Sequence, residues 1–321
     1  FNTSNQDKSI LWIIIFSGKN ILNDNNVASI VQKKPSVYNK IKNFIIFIFN
    51  LLIQKNNLHQ FTNSYYSAIK LEKIFDTIVK KIKFKNSSKF FIPFESQPFQ
   101  NNFVKKIKSL KKNHKIFGYI HSFPAFPSHL AKKIINPDCI IVNSKDQVYS
   151  FTNFLEWHTK EIILLPSLRF KRNYSNDLSK KIFLPINFYS IENICREIKE
   201  LNKIYNLKEF EIRNHPVAKN SSKHKKLIEE INKVIYFNDN SKLALKTSIF
   251  VGSTGAIIES LFSGIKPIHI MEDVEFEIYS QKLWPSIKTN FIQNNIVDYK
   301  LINENIVELN NNFSFKNYLR L

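Results

Sequence analysis

Glycine is scarce in this chain of 321 residues, with five in all, and methionine and cysteine are scarcer still at one and two. The two cysteines, Cys139 and Cys195, lie far apart and without partner spacing, which excludes a disulfide framework and a thiolate zinc site and fits a reducing compartment. Neither G-x-G-x-x-G nor G-x-x-x-x-G-K-[ST] occurs, so the dinucleotide and P-loop signatures are excluded. D-x-D and H-E-x-x-H are missing too, and no dedicated metal site is expected. Long apolar runs are absent. Ile10 to Phe16, and Phe44 to Ile53 with its interruption at Asn50, fall well short of the ~20 residues that span a bilayer, and read as a buried strand and a core helix. Acidic residues are in deficit, 26 against 47 Lys+Arg, a formal charge of +21 that attracts phosphates, nucleic acid or an anionic membrane face. The excess is mostly Lys spread evenly through an Asn-, Ile- and Phe-rich sequence, with no RGG or aromatic-interleaved basic repeat, so a solvated basic surface is expected rather than a nucleic-acid groove. The chain opens on Phe1 rather than Met, and a truncated start is expected.

Three of the five glycines fall between Ser248 and Ile270. There the apolar run Ile249 to Val251 meets Gly252-Ser253-Thr254-Gly255, followed by Ile257, Ile258, Leu261 and Phe262 at helical spacing and then Gly264 and Pro267. This reads as strand, tight turn, helix, stop and strand. Glycines at such a turn let a ligand approach the backbone, and the unpaired N–H groups and hydroxyls suit a phosphate. An ordinary strand-to-helix corner capped by Ser253 or Thr254 has the same residues, and the turn alone leaves both readings open.

The remainder alternates in the same way. Strands are expected at Lys89 to Pro93, Ile116 to Ile120, Cys139 to Val142 and Ile162 to Leu165, with helices at Tyr66 to Lys83, Phe99 to Leu110 and Asp146 to Phe154. Ser167 to Lys180 has no apolar periodicity and reads as a linker. Beyond it come strands at Lys181 to Ile186, Glu209 to Ile212 and Val234 to Phe237, helices at Ile191 to Tyr205 and Ser222 to Lys233, and a polar, helical tail after Tyr279 that crosses back to the first domain. Short apolar strands between longer helices imply α/β architecture with parallel sheets covered on both faces. Two doubly wound, Rossmann-like domains are therefore expected, 1–166 and 181–321, joined by 167–180 and facing a cleft.

Ligands of such sheets bind outside the carboxyl ends of the strands, where Glu95, His121 and Ser122 of one half and His215, Ser253 and Thr254 of the other are expected. His215, fixed by Pro216, can donate to a phosphate oxygen, and Arg213 beside it adds positive charge, although a lone loop histidine is most often only solvated. Glu95 can remove a proton from an acceptor hydroxyl or can simply pair with a lysine. Glu259, about one and a half turns past Thr254, suits the ribose hydroxyls of a nucleotide or a solvated helix face.

In this order, Phe94-Glu95-Ser96-Gln97-Pro98, His215-Pro216 and Gly252-Ser253-Thr254-Gly255 resemble the GT-B glycosyltransferases that use cytidine-nucleotide donors, including bacterial polysialyltransferase-like and capsular Kdo-transferase-like enzymes. The Glu-Ser-Gln-Pro loop, Gly118-Tyr119-Ile120-His121-Ser122 and Pro166-Ser167-Leu168-Arg169-Phe170 are more closely similar to an uncharacterised group of bacterial surface-carbohydrate biosynthesis proteins. The resemblance spans roughly Lys89 to Ile270. It implies Glu95 as general base, His215 as phosphate ligand or general acid, and Gly252, Ser253, Thr254 and Gly255 with Arg213 and Glu259 around the nucleotide. Gln97, His121, Ser122 and Arg169 fall to the acceptor side or the cleft, with His121 the other candidate base. Ser96 and Gln97 stand where polysialyltransferases have a second acid and a glycine. The implied co-substrate is a CMP-linked sugar and the acceptor a surface polysaccharide or lipid-linked glycan, with no cofactor, no metal and no nucleic-acid partner. A cytoplasmic protein is implied, peripheral on the inner face of an anionic membrane. The same elements also occur in CDP-glycerol-type glycerophosphotransferases, and a basic nucleic-acid-binding module is the reading from another class.

Overall fold

A computed structural model of the chain describes residues 12–16, 27–31, 75–77, 79–80, 87–110, 113–120, 130–167, 178–218, 221–236, 246–252, 254–272 and 279–307. The chain divides into two compact units, residues 1–85 with 105–110, and 86–104 with 111–321. In the first, β1 (Trp12–Phe16) pairs in parallel with β2 (Val27–Val31). The expected helix Phe44 to Ile53 lies outside the described residues, and that of Tyr66 to Lys83 is described only at 75–77 and 79–80, where it is helical.

The second unit holds two sheets. One has four parallel strands, β3 (Lys89–Pro93), β4 (Lys115–Tyr119), β5 (Cys139–Val142) and β6 (Ile162–Leu164), lying side by side in chain order. Helix α1 (Pro98–Ser109) follows β3, and α2 (Lys145–Phe154) follows β5. All four residues of β5 are buried, as a strand covered on both faces requires. On one face Ile140 and Val142 lie with Phe151, Leu155 and Trp157, and on the other Phe91 stacks on Phe117 with ring centroids 4.8 Å apart. Gly118 is forced, because a Cβ there would meet Phe94 Cβ and Pro137 Cγ at 2.9 Å.

The other sheet has six strands in the order β11-β12-β10-β9-β7-β8. Four are parallel: β7 (Lys181–Phe183), β8 (Glu211–Arg213), β9 (Thr247–Val251) and β10 (Lys266–Ile270). Helices α3 (Ile191–Ile204) and α4 (Ser222–Tyr236) pack Ile194, Ile198, Leu201, Leu227 and Ile231 on the face that carries Ile249, Val251, Ile268 and Ile270. Helix α5 (Ala256–Phe262) packs Ile257, Ile258 and Leu261 against Phe250 on the opposite face. These positions are the helical-period and alternating apolar residues of the sequence.

Three expectations are corrected. The region after Tyr279 is an antiparallel hairpin, β11 (Ile287–Gln293) and β12 (Ile296–Leu301), so the six-stranded sheet is mixed rather than all-parallel. Its polar content belongs to an edge strand, and the Asn294-Asn295 pair is the turn between the two strands. Val234 to Tyr236 is not strand but the last turn of α4, because Ile235 continues the buried row of Leu227 and Ile231, and the Asn202 amide donates to the Ile235 carbonyl at 3.1 Å. Among the described residues, strand order reverses in the six-stranded sheet and runs straight through in the four-stranded one, so the doubly wound pattern expected of both halves is seen in one. Residues 168–177, most of the expected linker, lie outside the described set. No helix among the described residues is long and apolar enough to cross a membrane.

Candidate functional site

The reversal of strand order fixes where a ligand of the six-stranded sheet would sit. From β7 the chain moves to one neighbour, β8, by way of α3, and the other neighbour is β9, whose helix α5 covers the opposite face. Flanking helices that part to opposite faces leave a crevice at the carboxyl ends of β7 and β9. The turn after β9 is Gly252 to Gly255. Gly252 adopts φ 68°, a left-handed conformation that side chains disfavour, while its N–H donates to the Ile270 carbonyl at 2.9 Å. Thr254 is half-buried and is not the N-cap of α5, which is Gly255 with no side-chain cap; its hydroxyl accepts the Ala256 N–H at 3.3 Å in a local turn one residue earlier. That bond uses an oxygen lone pair and leaves the hydroxyl proton for a ligand. Ser253 lies outside the described residues. Glu259 stands in the first turn of α5, half-buried.

His215 leaves β8 two strand spacings, roughly 10 Å, from β9 on the same sheet edge. Its carbonyl accepts the Ala218 N–H at 2.8 Å, closing the 3-10 turn Pro216–Ala218 that fixes the corner. Arg213 is paired: its Nε lies 2.7 Å from Glu211 Oε1, and both side chains are half-exposed. That pair offsets much of the positive charge expected beside His215.

The loop between β7 and α3 completes this edge, and the sequence reading passed over it by running the strand on to Ile186. Three bonds pin it. His224 Nε2 donates to the Pro185 carbonyl at 2.9 Å, Lys223 Nζ to the Phe188 carbonyl at 2.6 Å, and the Tyr189 N–H to Glu272 Oε1 at 3.1 Å. Pro185, two residues past the last residue of β7, was the available signal.

Glu95 follows β3 in the four-stranded sheet, on a loop with little freedom. Gln100, in the first turn of α1, accepts the N–H groups of Glu95 and Gln97 at 2.9 and 3.0 Å and donates to the Pro93 carbonyl at 2.8 Å. Ser96 sits at φ 55°, a strained value for a residue with a side chain, and is held by Lys133 Nζ, which donates to its Oγ at 2.9 Å, and by the Asn101 amide on its carbonyl at 3.0 Å. Gln97 donates to the half-buried Glu95 carboxylate at 3.5 Å. His121, Ser122 and Arg169 lie outside the described residues.

The end of β5 differs. Asn143 donates to the Leu165 carbonyl at 3.0 Å, and Ser144 Oγ caps α2 through Gln147 N–H at 3.2 Å while donating to the Asn305 carbonyl at 3.0 Å. Two residues on, the buried Asp146 carboxylate accepts the N–H and hydroxyl of Ser286 at 2.9 and 2.7 Å. These bonds tie α2 to the segments on either side of the β11–β12 hairpin.

Among the described residues no cluster of His, Cys, Asp and Glu could hold a metal ion. No known family, characterised protein or solved structure matches the chain.

Proposed function

We propose that the chain is a GT-B-type inverting glycosyltransferase that moves a sugar from a nucleotide donor, CMP-linked by the resemblance, to a surface polysaccharide or lipid-linked glycan at the inner face of a membrane. The observation that carries the reading is the coincidence of the Gly252 to Gly255 turn with the strand-order reversal between β7 and β9, the position at which open α/β sheets take their ligands. The His215 corner on the same edge and the constrained Glu95 loop add to it. In the reaction, Glu95 takes the proton of an acceptor hydroxyl as its oxygen bonds to the anomeric carbon. The bond from that carbon to the donor phosphate breaks, and the nucleotide leaves with the electron pair. The turn's N–H groups, the Thr254 hydroxyl and His215 receive the negative charge, where one fixed donor is typically worth about 3–4 kcal/mol of barrier. The basic surface would hold the protein near anionic lipid.

The test is a thermal-shift and calorimetric panel with CMP, CDP, UDP and GDP, followed by turnover of CMP-sugars and CDP-glycerol. Selective binding of a cytidine nucleotide, adding about 2.7 kcal/mol of apparent stability at 100 times its dissociation constant, supports the reading. Binding of none of the four sinks it. Turnover of CDP-glycerol alone replaces it with glycerophosphotransfer.

A further inference from the structure

Beyond the phosphate turn, the carboxyl edge of the six-stranded sheet carries a second feature that the catalytic scheme does not use. Tyr189 is 81% exposed and Ile186 45%, both on the loop between β7 and α3. Large exposed apolar side chains often sit on loose loops, where they fix nothing. This loop is held from both sides: His224 and Lys223 at the start of α4 grip the Pro185 and Phe188 carbonyls, and Glu272, two residues past β10, takes the Tyr189 N–H. Phe188 is itself buried, with the Lys223 ammonium 4.2 Å from its ring centre and the His224 ring edge-on at 5.0 Å. The backbone that bears Tyr189 is therefore ordered before any ligand arrives, and little further ordering is needed on binding.

Position gives this platform its meaning. In the sheet β9 lies between β10 and β7, so the bond from Tyr189 to Glu272 joins the two neighbours of β9 across the carboxyl end where the Gly252 turn sits. The β7 loop and the β9 turn are one strand spacing apart, about 4.8 Å at the sheet, a gap that the ribose of a 5′-nucleotide spans. Tyr189 offers a planar ligand ring an exposed aromatic side chain on a fixed loop, and no charged partner is required.

We propose that Tyr189 is the stacking platform for the nucleobase of the donor, a specificity element distinct from the groups that hold its phosphate. This rests on the nucleotide-binding reading of the same edge. Stacking accepts any base, so Tyr189 contributes affinity for base-bearing ligands, and choice of cytidine falls to other groups.

The experiment compares wild type, Tyr189→Ala and Tyr189→Phe in calorimetric titrations with CMP and with ribose 5-phosphate, which keeps sugar and phosphate but has no base. Base–aromatic stacking predicts a loss of CMP affinity of about 5- to 150-fold in the Ala variant, retention in the Phe variant, and unchanged affinity for ribose 5-phosphate in all three. Wild-type CMP affinity in Tyr189→Ala overturns the platform and leaves the nucleotide site standing. Equal weakening of both ligands also overturns it, because the residue then acts on the phosphate or the loop. A wild-type protein that binds neither ligand overturns the nucleotide site and the platform together.

Discussion

The ends of β5 and β9 are similar in sequence, an apolar strand running into Asn143-Ser144 in one case and Gly252-Ser253-Thr254 in the other, yet the fold treats them in opposite ways. At β5 the polar side chains are buried and bound: Asn143 holds β6, Ser144 caps α2 and reaches Asn305, and Asp146 holds Ser286. At β9 the turn remains at the crevice, with Thr254 half-buried and keeping a hydroxyl proton to give. At the end of β3 the loop backbone is held by Gln100, and within that loop the half-buried Glu95 carboxylate takes a long 3.5 Å bond from Gln97. A polar residue after a parallel strand is thus a weak sign of function by itself. What separates the cases is whether structural hydrogen bonds already occupy the side chain.

If that distinction is correct, replacing Glu95 has the largest effect on chemistry and almost none on folding. Glu95→Gln keeps the size, the loop backbone and the contact with Gln97 but cannot accept the acceptor's proton. Transfer should fall by 10²–10⁴, about 3–5 kcal/mol of barrier, with donor affinity intact and stability within about 0.5 kcal/mol of wild type. Initial rates beside a thermal melt decide it. Normal rates in the Gln variant would remove Glu95 from the mechanism and move the search for a base to His121.

Thr254→Val and Ser144→Ala compare the two strand ends directly. The first removes one charge-assisted phosphate contact and should weaken nucleotide binding by about 1.5–3 kcal/mol while the melting curve shifts little. The second removes a helix cap and should cost about 1 kcal/mol of stability with nucleotide affinity unchanged. Measuring both quantities on both variants is decisive, for the same pattern in the two would erase the difference between β5 and β9.

Much of this is legible in the sequence alone. The strands that deliver Glu95 and the Gly252 turn contain continuous apolar runs, the one before His215 alternates apolar and charged residues, and α3 and α4 follow rows such as Ile194, Ile198 and Leu201 or Leu227, Ile231 and Ile235. What stayed hidden depends on contacts between distant residues. The pinning of the Tyr189 loop needs Lys223, His224 and Glu272, which lie 35 to 83 positions along the chain from the groups they hold and meet them through the sheet. The β11–β12 hairpin was misread because an exposed edge strand tolerates polar residues at positions where a helix also would. Strand order is likewise a property of pairing, and the reversal that locates the crevice has no local signature.

The buried carboxylate at β5 gives the smallest effect, and its sign is informative. Asp146 is 4% exposed, and burial pushes its pKa up from 3.8 against the opposing hydrogen bonds from Ser286. The geometry favours a proton there as well. Ser286 Oγ has one hydrogen but touches two acceptors, Asp146 Oδ1 and Asn303 Oδ1, and the latter is fixed as an acceptor by the Asn305 N–H at 2.9 Å. A protonated Asp146 donates to Ser286 Oγ, which then donates to Asn303, and every contact is satisfied. The folded chain therefore binds this proton more tightly than the unfolded chain. The stability it confers is fully present below the unfolded pKa of 3.8 and is lost as the pH rises through the folded value. Asp146→Asn mimics the protonated acid, with a carbonyl for the Ser286 N–H and an amide for its hydroxyl, and does not titrate. Urea unfolding of both proteins at a series of pH values from 7 to 4 should show wild type gaining on the Asn variant as the pH falls, by at most about 1.4 kcal/mol per unit within the window. A flat difference would mean that the carboxylate is ionised at no cost, and the opposite slope would make it an anion that the fold favours, placing the end of β5 with the charged sites instead of the structural ones.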